Sequence, residues 1–118
     1  MQWKKKRYII YKHENLINHK IYIGQTCQKP ERRWRTDGHG YGKTQEVFYN
    51  AIQKYGWDNF SHEIIEEGLT AEQANEREQY WIKYYDCCIL DGPDKGYNMT
   101  RGGQSLFSRE RWQDPKFR

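Results

Sequence analysis

The sequence predicts an α+β domain, a three-stranded antiparallel sheet flanked by helices. Two short runs of β-branched and aromatic residues stand either side of an Asn-bounded loop, apolar residues recur at helical spacing in two later segments, and a third strand-like run separates those segments. At 118 residues the chain has the size of one domain, with room for a modest core.

Lys6 to Lys12 reads as the first strand and contains Tyr8-Ile9-Ile10-Tyr11; Lys20 to Gly24 reads as the second and contains Ile21-Tyr22-Ile23-Gly24. The loop between them carries Asn15 and Asn18, whose side chains can bond the backbone two residues on, so the strands should pair antiparallel as a hairpin. Pro30 suits the first turn of a short helix through Glu31-Arg32-Arg33-Trp34-Arg35. Asp37 to Gly42 holds three glycines and should be a loop. Val47, Phe48, Ala51, Ile52 and Tyr55 mark a second helix, with Gly56 as its stop. After a turn at Asp58-Asn59, the chain returns to strand from Asn59 to Glu66. Thr70 with Gln73 is a capping-box signature opening the longest helix, Ala71 to Tyr85. Trp57, Phe60 and Trp81 are expected in the core, and Tyr84 and Tyr85 in the core or at its rim.

On that long helix, Ala74, Glu78, Ile82 and Tyr85 fall on one stripe. A carboxylate among apolar neighbours is costly unless a cation meets it. Glu78 is therefore either a metal ligand or one half of an ion pair with Arg32, Arg33 or Arg35.

The net charge of +4 conceals a split, because residues 1–12 hold five basic and no acidic side chains and residues 101–118 hold five basic against two acidic. Cationic ends suit a polyanion, since neutralising each phosphate releases counterions. Lys4, Lys5, Lys6, Arg7, Arg32 and Arg35 are the candidate DNA contacts; the competing reading of the terminal run is a solvated tail. No run approaches the roughly 18 apolar residues of a membrane span, and the basic N-terminus lacks the apolar core of a secretory signal. Cys27, Cys87 and Cys88 lack the paired spacing of a zinc site and suit a reducing cytoplasm. No small-molecule cofactor is expected.

Hydrolysis of a phosphodiester needs an activated water, stabilisation of charge on phosphorus and help for the leaving oxygen. Tyrosine, with a pKa near 10, serves as a base only where cations or a metal favour its ionised form; Lys12, Lys20 and the Arg32-Arg33-Arg35 cluster are the available cations. Arginine can fork onto phosphate oxygens, a role for Arg33. A single core-facing carboxylate favours one hard cation held by Glu78, magnesium with manganese able to substitute.

Two tyrosines on paired strands, Arg33-Trp34 on the first helix, Glu78-Gln79-Tyr80-Trp81 on the last and Gly96-Tyr97-Asn98 near the end resemble the GIY-YIG nuclease family from about Tyr8 to Gly103. The resemblance implies that Tyr11 acts as or assists the general base. Tyr22 would position water or phosphate, Arg33 would stabilise the transition state, Glu78 would bind the metal, and Asn98 would brace the site. It divides the chain into a nuclease-like domain over residues 1–103 and a basic extension over 104–118, the possible stub of a DNA-reading region. The similarity is to small phage and bacterial members, homing endonucleases among them, which places the protein in a bacterial or phage-infected cytoplasm. The first-motif glycine is Ile9 here. A histidine frequent one helical turn after the arginine is Asp37; His39 is the candidate to supply the imidazole, and the alternative is that both are loop residues. The rival functional reading is a catalytically silent nucleic-acid-binding module on the same fold.

Overall fold

The structure, a computed structural model, describes residues 7–34, 38, 41 and 45–102. Strands β1 (Tyr8–Asn15), β2 (Ile21–Thr26) and β3 (Phe60–Leu69) form one antiparallel sheet in the order β2-β1-β3. Helix α1 (Pro30–Trp34) follows the hairpin, α2 (Glu46–Tyr55) precedes β3, and α3 (Ala71–Tyr85) follows it. The expected α+β fold is the fold observed.

Helix α3 begins as its capping box requires, with the Gln73 N–H donating to Thr70 Oγ1 at 3.1 Å and the Thr70 N–H to Gln73 Oε1 at 3.0 Å. The hairpin loop is held by its asparagines, the Ile17 N–H donating to Asn15 Oδ1 and the Lys20 N–H to Asn18 Oδ1. Two strands run further than expected. Strand β1 continues through His13, Glu14 and Asn15, polar residues that read as loop. Strand β3 continues past Glu66 to Leu69, because register shifts between Tyr8 and Ile10 and between Ile10 and Tyr11 leave extra residues on β3. A bulge breaks the period-two alternation by which a strand is read from sequence.

The sheet separates two cores. Tyr11 and Tyr22 pack with Tyr41, Phe48, Ala51, Ile52, Phe60 and Tyr97 on the face covered by α2. Ile10 and Ile23, one position away on each strand, pack with Ala74, Ile82, Cys87 and Cys88 on the face covered by α3. Phe60 is core, as expected; Trp57 and Trp81 are partly buried against the two cores, Tyr85 is at the rim, and Tyr84 is exposed. Cys87 and Cys88 are free and buried.

Strand β2 is an edge, and Gly96-Tyr97-Asn98 covers part of it. The Tyr97 N–H donates to the Ile21 carbonyl at 3.0 Å. Asn98 then uses its side chain as a strand uses its backbone, accepting from the Ile23 N–H at 2.9 Å and donating to the Ile23 carbonyl at 2.8 Å. The glycine is a packing requirement, since a Cβ on Gly96 would lie 2.6 Å from the Cys87 carbonyl oxygen.

Candidate active site

Tyr11 is 1% exposed and its ring crosses its cross-strand partner, Gly24 of β2. A Cβ on Gly24 would stand 2.5 Å from the Tyr11 hydroxyl oxygen, so only glycine lets the phenol reach across the edge strand. The ring packs edge-on against Trp34 of α1, with centroids 5.5 Å apart, and 6.5 Å from Tyr22. Tyr22 stacks on Phe48 of α2 at 4.5 Å and is 5% exposed.

Arg33, the residue before Trp34, places its guanidinium 4.3 Å from the centre of the Tyr41 ring. Tyr11 hydrogen-bonds both Tyr41 and Arg33. Burial pushes the Tyr11 hydroxyl above the ordinary tyrosine range; Arg33 and the Tyr41 hydrogen bond oppose that shift, and the charge of Glu78 adds to it. Tyr22 is raised further, again by burial first, with Tyr11 and Glu78 contributing. Burial also works against the charge on Arg33, but Tyr11, Tyr41 and Tyr22 outweigh it and hold the guanidinium above its ordinary range. The site is thus one fixed cation among phenols that keep their protons.

Glu78 approaches the same edge from the opposite layer. Gln25 of β2 connects them, its Nε2 donating to Glu78 Oε1 at 3.0 Å and to Asn75 Oδ1 at 2.8 Å. The amide oxygen of Gln25 is buried and has no hydrogen-bond partner among the described residues. Glu78 offers carboxylate oxygens, and Gln25 holds one of them through its amide nitrogen. No cluster of three or more His, Cys, Asp or Glu that could hold a metal occurs among the described residues. Magnesium takes one or two protein oxygens and fills its octahedron with water and phosphate, and Glu78 is the carboxylate that would supply one of them.

Asn98 is bound on both ends of its amide by Ile23 and also accepts from the Cys87 thiol at 3.2 Å, so it fixes β2 beside Tyr22 and Gly24. Burial pushes that thiol up to about 12, which leaves it a hydrogen-bond donor.

Two cations expected to act on the phenols are committed elsewhere. Lys12 lies 3.4 Å from Glu63 and 3.7 Å from Glu14, over the Tyr85 ring on the α3 side, because it alternates with Tyr11 along β1. Lys20 lies 3.7 Å from Asp94 at the far end of the hairpin. Arg7 and Arg32 are exposed. Lys4, Lys5, Lys6, Arg35, Asp37, His39 and the 104–118 extension lie outside the described residues.

Four residues that the sequence reading did not single out complete the site: Gln25, Tyr41, His13 and His62. His13 is 0% exposed, its Nε2 2.7 Å from the Tyr41 hydroxyl and its Nδ1 2.8 Å from His62 Nδ1. Carrying the alternation of β1 past Lys12 would have placed His13 beside Tyr11; Tyr41 and Gln25 offered no such signal. A cavity of about 330 Å³ lined by Ile82, Lys83, Asp86, Asp91 and Arg101 contains none of these residues.

A model of the GIY-YIG catalytic domain matches residues 7–87. Three proteins of Enterobacteria phage T4 are similar in sequence. Putative endonuclease segD is 30% identical over 97% of this chain and 47% of its own length. Putative endonuclease segE is 36% identical over 81% of this chain and 42% of its own, and putative endonuclease segB 35% identical over 82% and 39%. The chain therefore spans less than half the length of these curated relatives. The solved catalytic domain of intron endonuclease I-TevI, in a mutant form, superposes with a TM-score of 0.61 at 24% identity, covering 81% of this chain and 96% of that one.

Proposed function

We propose that this chain, which belongs to the GIY-YIG family, is a magnesium-dependent endonuclease that hydrolyses DNA phosphodiester bonds with a tyrosine assisting water activation. The observation that carries the reading is the meeting of two layers at one sheet edge. Tyr11, hydrogen-bonded to Arg33 and Tyr41, crosses Gly24 from one face, and Glu78 reaches Gln25 from the other.

In this reading the Arg33 guanidinium takes the non-bridging oxygens of the scissile phosphate and stabilises the charge that grows on them. Tyr11 receives the proton of the attacking water, and Tyr22 positions the water or phosphate beside it. Gln25 orients the Glu78 carboxylate, which would hold the ion. When bound, magnesium neutralises phosphate charge and stabilises the leaving oxygen, with manganese an equivalent oxygen-seeking substitute. Arg7, Arg32 and the basic ends of the chain would grip the DNA backbone.

The test is cleavage of supercoiled plasmid with and without magnesium. The expected result is metal-dependent nicking or linearisation that Glu78→Gln abolishes while circular dichroism and thermal unfolding stay unchanged. Tyr11→Phe, which removes only a hydroxyl, should cost about 100-fold or more. Undiminished cutting by folded Glu78→Gln refutes the metal assignment.

A further inference from the structure

The Tyr11 phenol has a difficulty as a base, because in its buried setting it keeps its own proton at neutral pH. It can take a proton from water only if it gives one away in the same event. The structure provides a route behind it. Tyr11 is hydrogen-bonded to Tyr41, the Tyr41 hydroxyl is 2.7 Å from His13 Nε2, and His13 Nδ1 is 2.8 Å from His62 Nδ1. His13 is fully buried, whereas His62 on β3 is half-buried and stacks 4.0 Å from the Trp57 ring.

The His13 ring hydrogen-bonds the Ser61 backbone and the His62 ring the Trp57 backbone. Arg33, which can only donate, is the other partner of the Tyr11 hydroxyl. Passage of a proton from Tyr11 toward His62 needs His13 protonated on Nδ1, the nitrogen facing His62, with Nε2 free to accept from the Tyr41 hydroxyl. The Tyr41 hydroxyl, whose hydrogen bond lowers Tyr11, then turns its proton from Tyr11 to His13 Nε2.

Resting on the proposed nuclease reading, we infer that Tyr41, His13 and His62 form a proton wire that drains Tyr11 toward the half-exposed face of β3. As water attacks phosphorus, its proton passes to the Tyr11 oxygen and its electron pair forms the new P–O bond. The Tyr11 proton moves to Tyr41, the Tyr41 proton to His13 Nε2, and the His13 Nδ1 proton to His62 Nδ1. The bond to the leaving oxygen breaks and that oxygen takes a proton from solvent. His62, now cationic, returns one proton to solvent, and the net change is one water added across the phosphodiester. The wire resets by the reverse transfers once product has left: His62 gives its Nδ1 proton to His13 and takes one from solvent on Nε2, His13 Nε2 returns its proton to Tyr41, Tyr41 returns one to Tyr11, and Tyr11 releases one to water in the emptied site. Tyr41, His13 and His62 are positioning residues in this scheme, acting through Tyr11.

Single-turnover cleavage of plasmid DNA with magnesium tests the wire, with His62→Ala as the first variant because its ring is half-buried. The expected result is a rate at least 10-fold lower at unchanged DNA affinity and circular dichroism, restored by added imidazole. Tyr41→Phe, which removes one hydroxyl from the middle of the path, should slow cleavage similarly without rescue. Nitrogen-15 spectra of the unaltered protein should show His13 protonated on Nδ1 and accepting on Nε2. The opposite tautomer overturns the direction of the wire. A slow His62→Ala that imidazole does not restore makes the pair a packing feature and overturns it as well. Wild-type rates in His62→Ala and Tyr41→Phe beside a dead Tyr11→Phe overturn the wire alone, while full activity in Tyr11→Phe removes Tyr11 as base and the wire with it.

Discussion

The two faces of the sheet are built from different chemistry. On the α3 side, Ile10, Ile23, Ala74 and Ile82 make an aliphatic core that excludes water. On the α2 side, Tyr11, His13, Tyr22, Tyr41 and His62 make a core of rings with polar tips, in which hydrogen bonds join Tyr11 to Tyr41, Tyr41 to His13 and His13 to His62 and Tyr22 packs by ring contacts. A polar network of this kind is stable only when each member is satisfied. The difference teaches that aliphatic packing and the hydrogen-bonded rings are assigned to opposite faces, and that the two layers meet at β2, where Gly24 and Gln25 let one group from each face reach the edge.

The comparison can be broken by substituting adjacent residues of β2. Ile23→Ala, on the aliphatic face, should lower unfolding free energy by about 2–5 kcal/mol. At a temperature where the variant is folded it should leave the single-turnover rate within a few-fold of wild type. Tyr22→Phe should do the reverse, slowing cleavage with a small change in the urea midpoint. Equal losses of rate in both would refute the division.

Gly24→Ala probes the crossing itself. The added methyl meets the Tyr11 ring at 2.5 Å, which should cost about 1–3 kcal/mol in urea unfolding and displace the hydroxyl from Arg33, with a loss of cleavage larger than the lost stability explains. An unchanged rate would show that Tyr11 need not cross the strand.

Much of this was legible in the sequence, for identifiable reasons. The span of α3 follows from a cap and a period that its own residues supply, and the hairpin follows from Asn15 and Asn18 bonding within their own loop. The polar face was not legible because its logic is long-range. His13 and Asn15 read as loop residues, yet both are buried, with partners at His62, Tyr41 and Tyr97 far along the chain. The end of β3 was hidden by bulges that exist only in its pairing with β1. Lys12 and Lys20 had the right charge and the wrong side or end of the sheet. Among the candidate site residues, Glu78 stands out by its place on a stripe and Arg33 by the chemistry of a guanidinium with phosphate, whereas the roles expected of Tyr11 and Asn98 rest on the family resemblance.

A smaller effect separates the faces by pH. Burial holds His13 well below its ordinary value near 6.5, and His62 is also lowered, so both rings are neutral in the fold. Below about 6.5 the unfolded chain binds protons that the native state refuses. This contribution to stability is complete above that pH and is lost as the pH falls. The melting temperature should therefore drop between about pH 7 and pH 5, and His13→Gln should flatten that drop, whereas Ile23→Ala should shift the whole curve without changing its slope. An unaltered pH profile in His13→Gln would place the acid sensitivity elsewhere.

The smallest expected change lies outside both faces. Neutralising Lys4, Lys5, Lys6 and Arg7 should weaken binding to all DNA sequences alike and flatten the salt dependence by up to about 0.9 per lost phosphate contact, with the chemical step intact. An unchanged affinity and salt slope would make that run a solvated tail.

The Asn98 amide, standing in for a missing fourth strand, has a practical bearing on how the protein can be shortened. A fragment ending at residue 87, where the family match stops, would keep every strand and α-helix described, yet expose the Ile21 carbonyl and both backbone groups of Ile23 along the rim of β2. One side chain thus sets how far a fragment must run to keep the edge of β2 covered, and that point falls after Asn98.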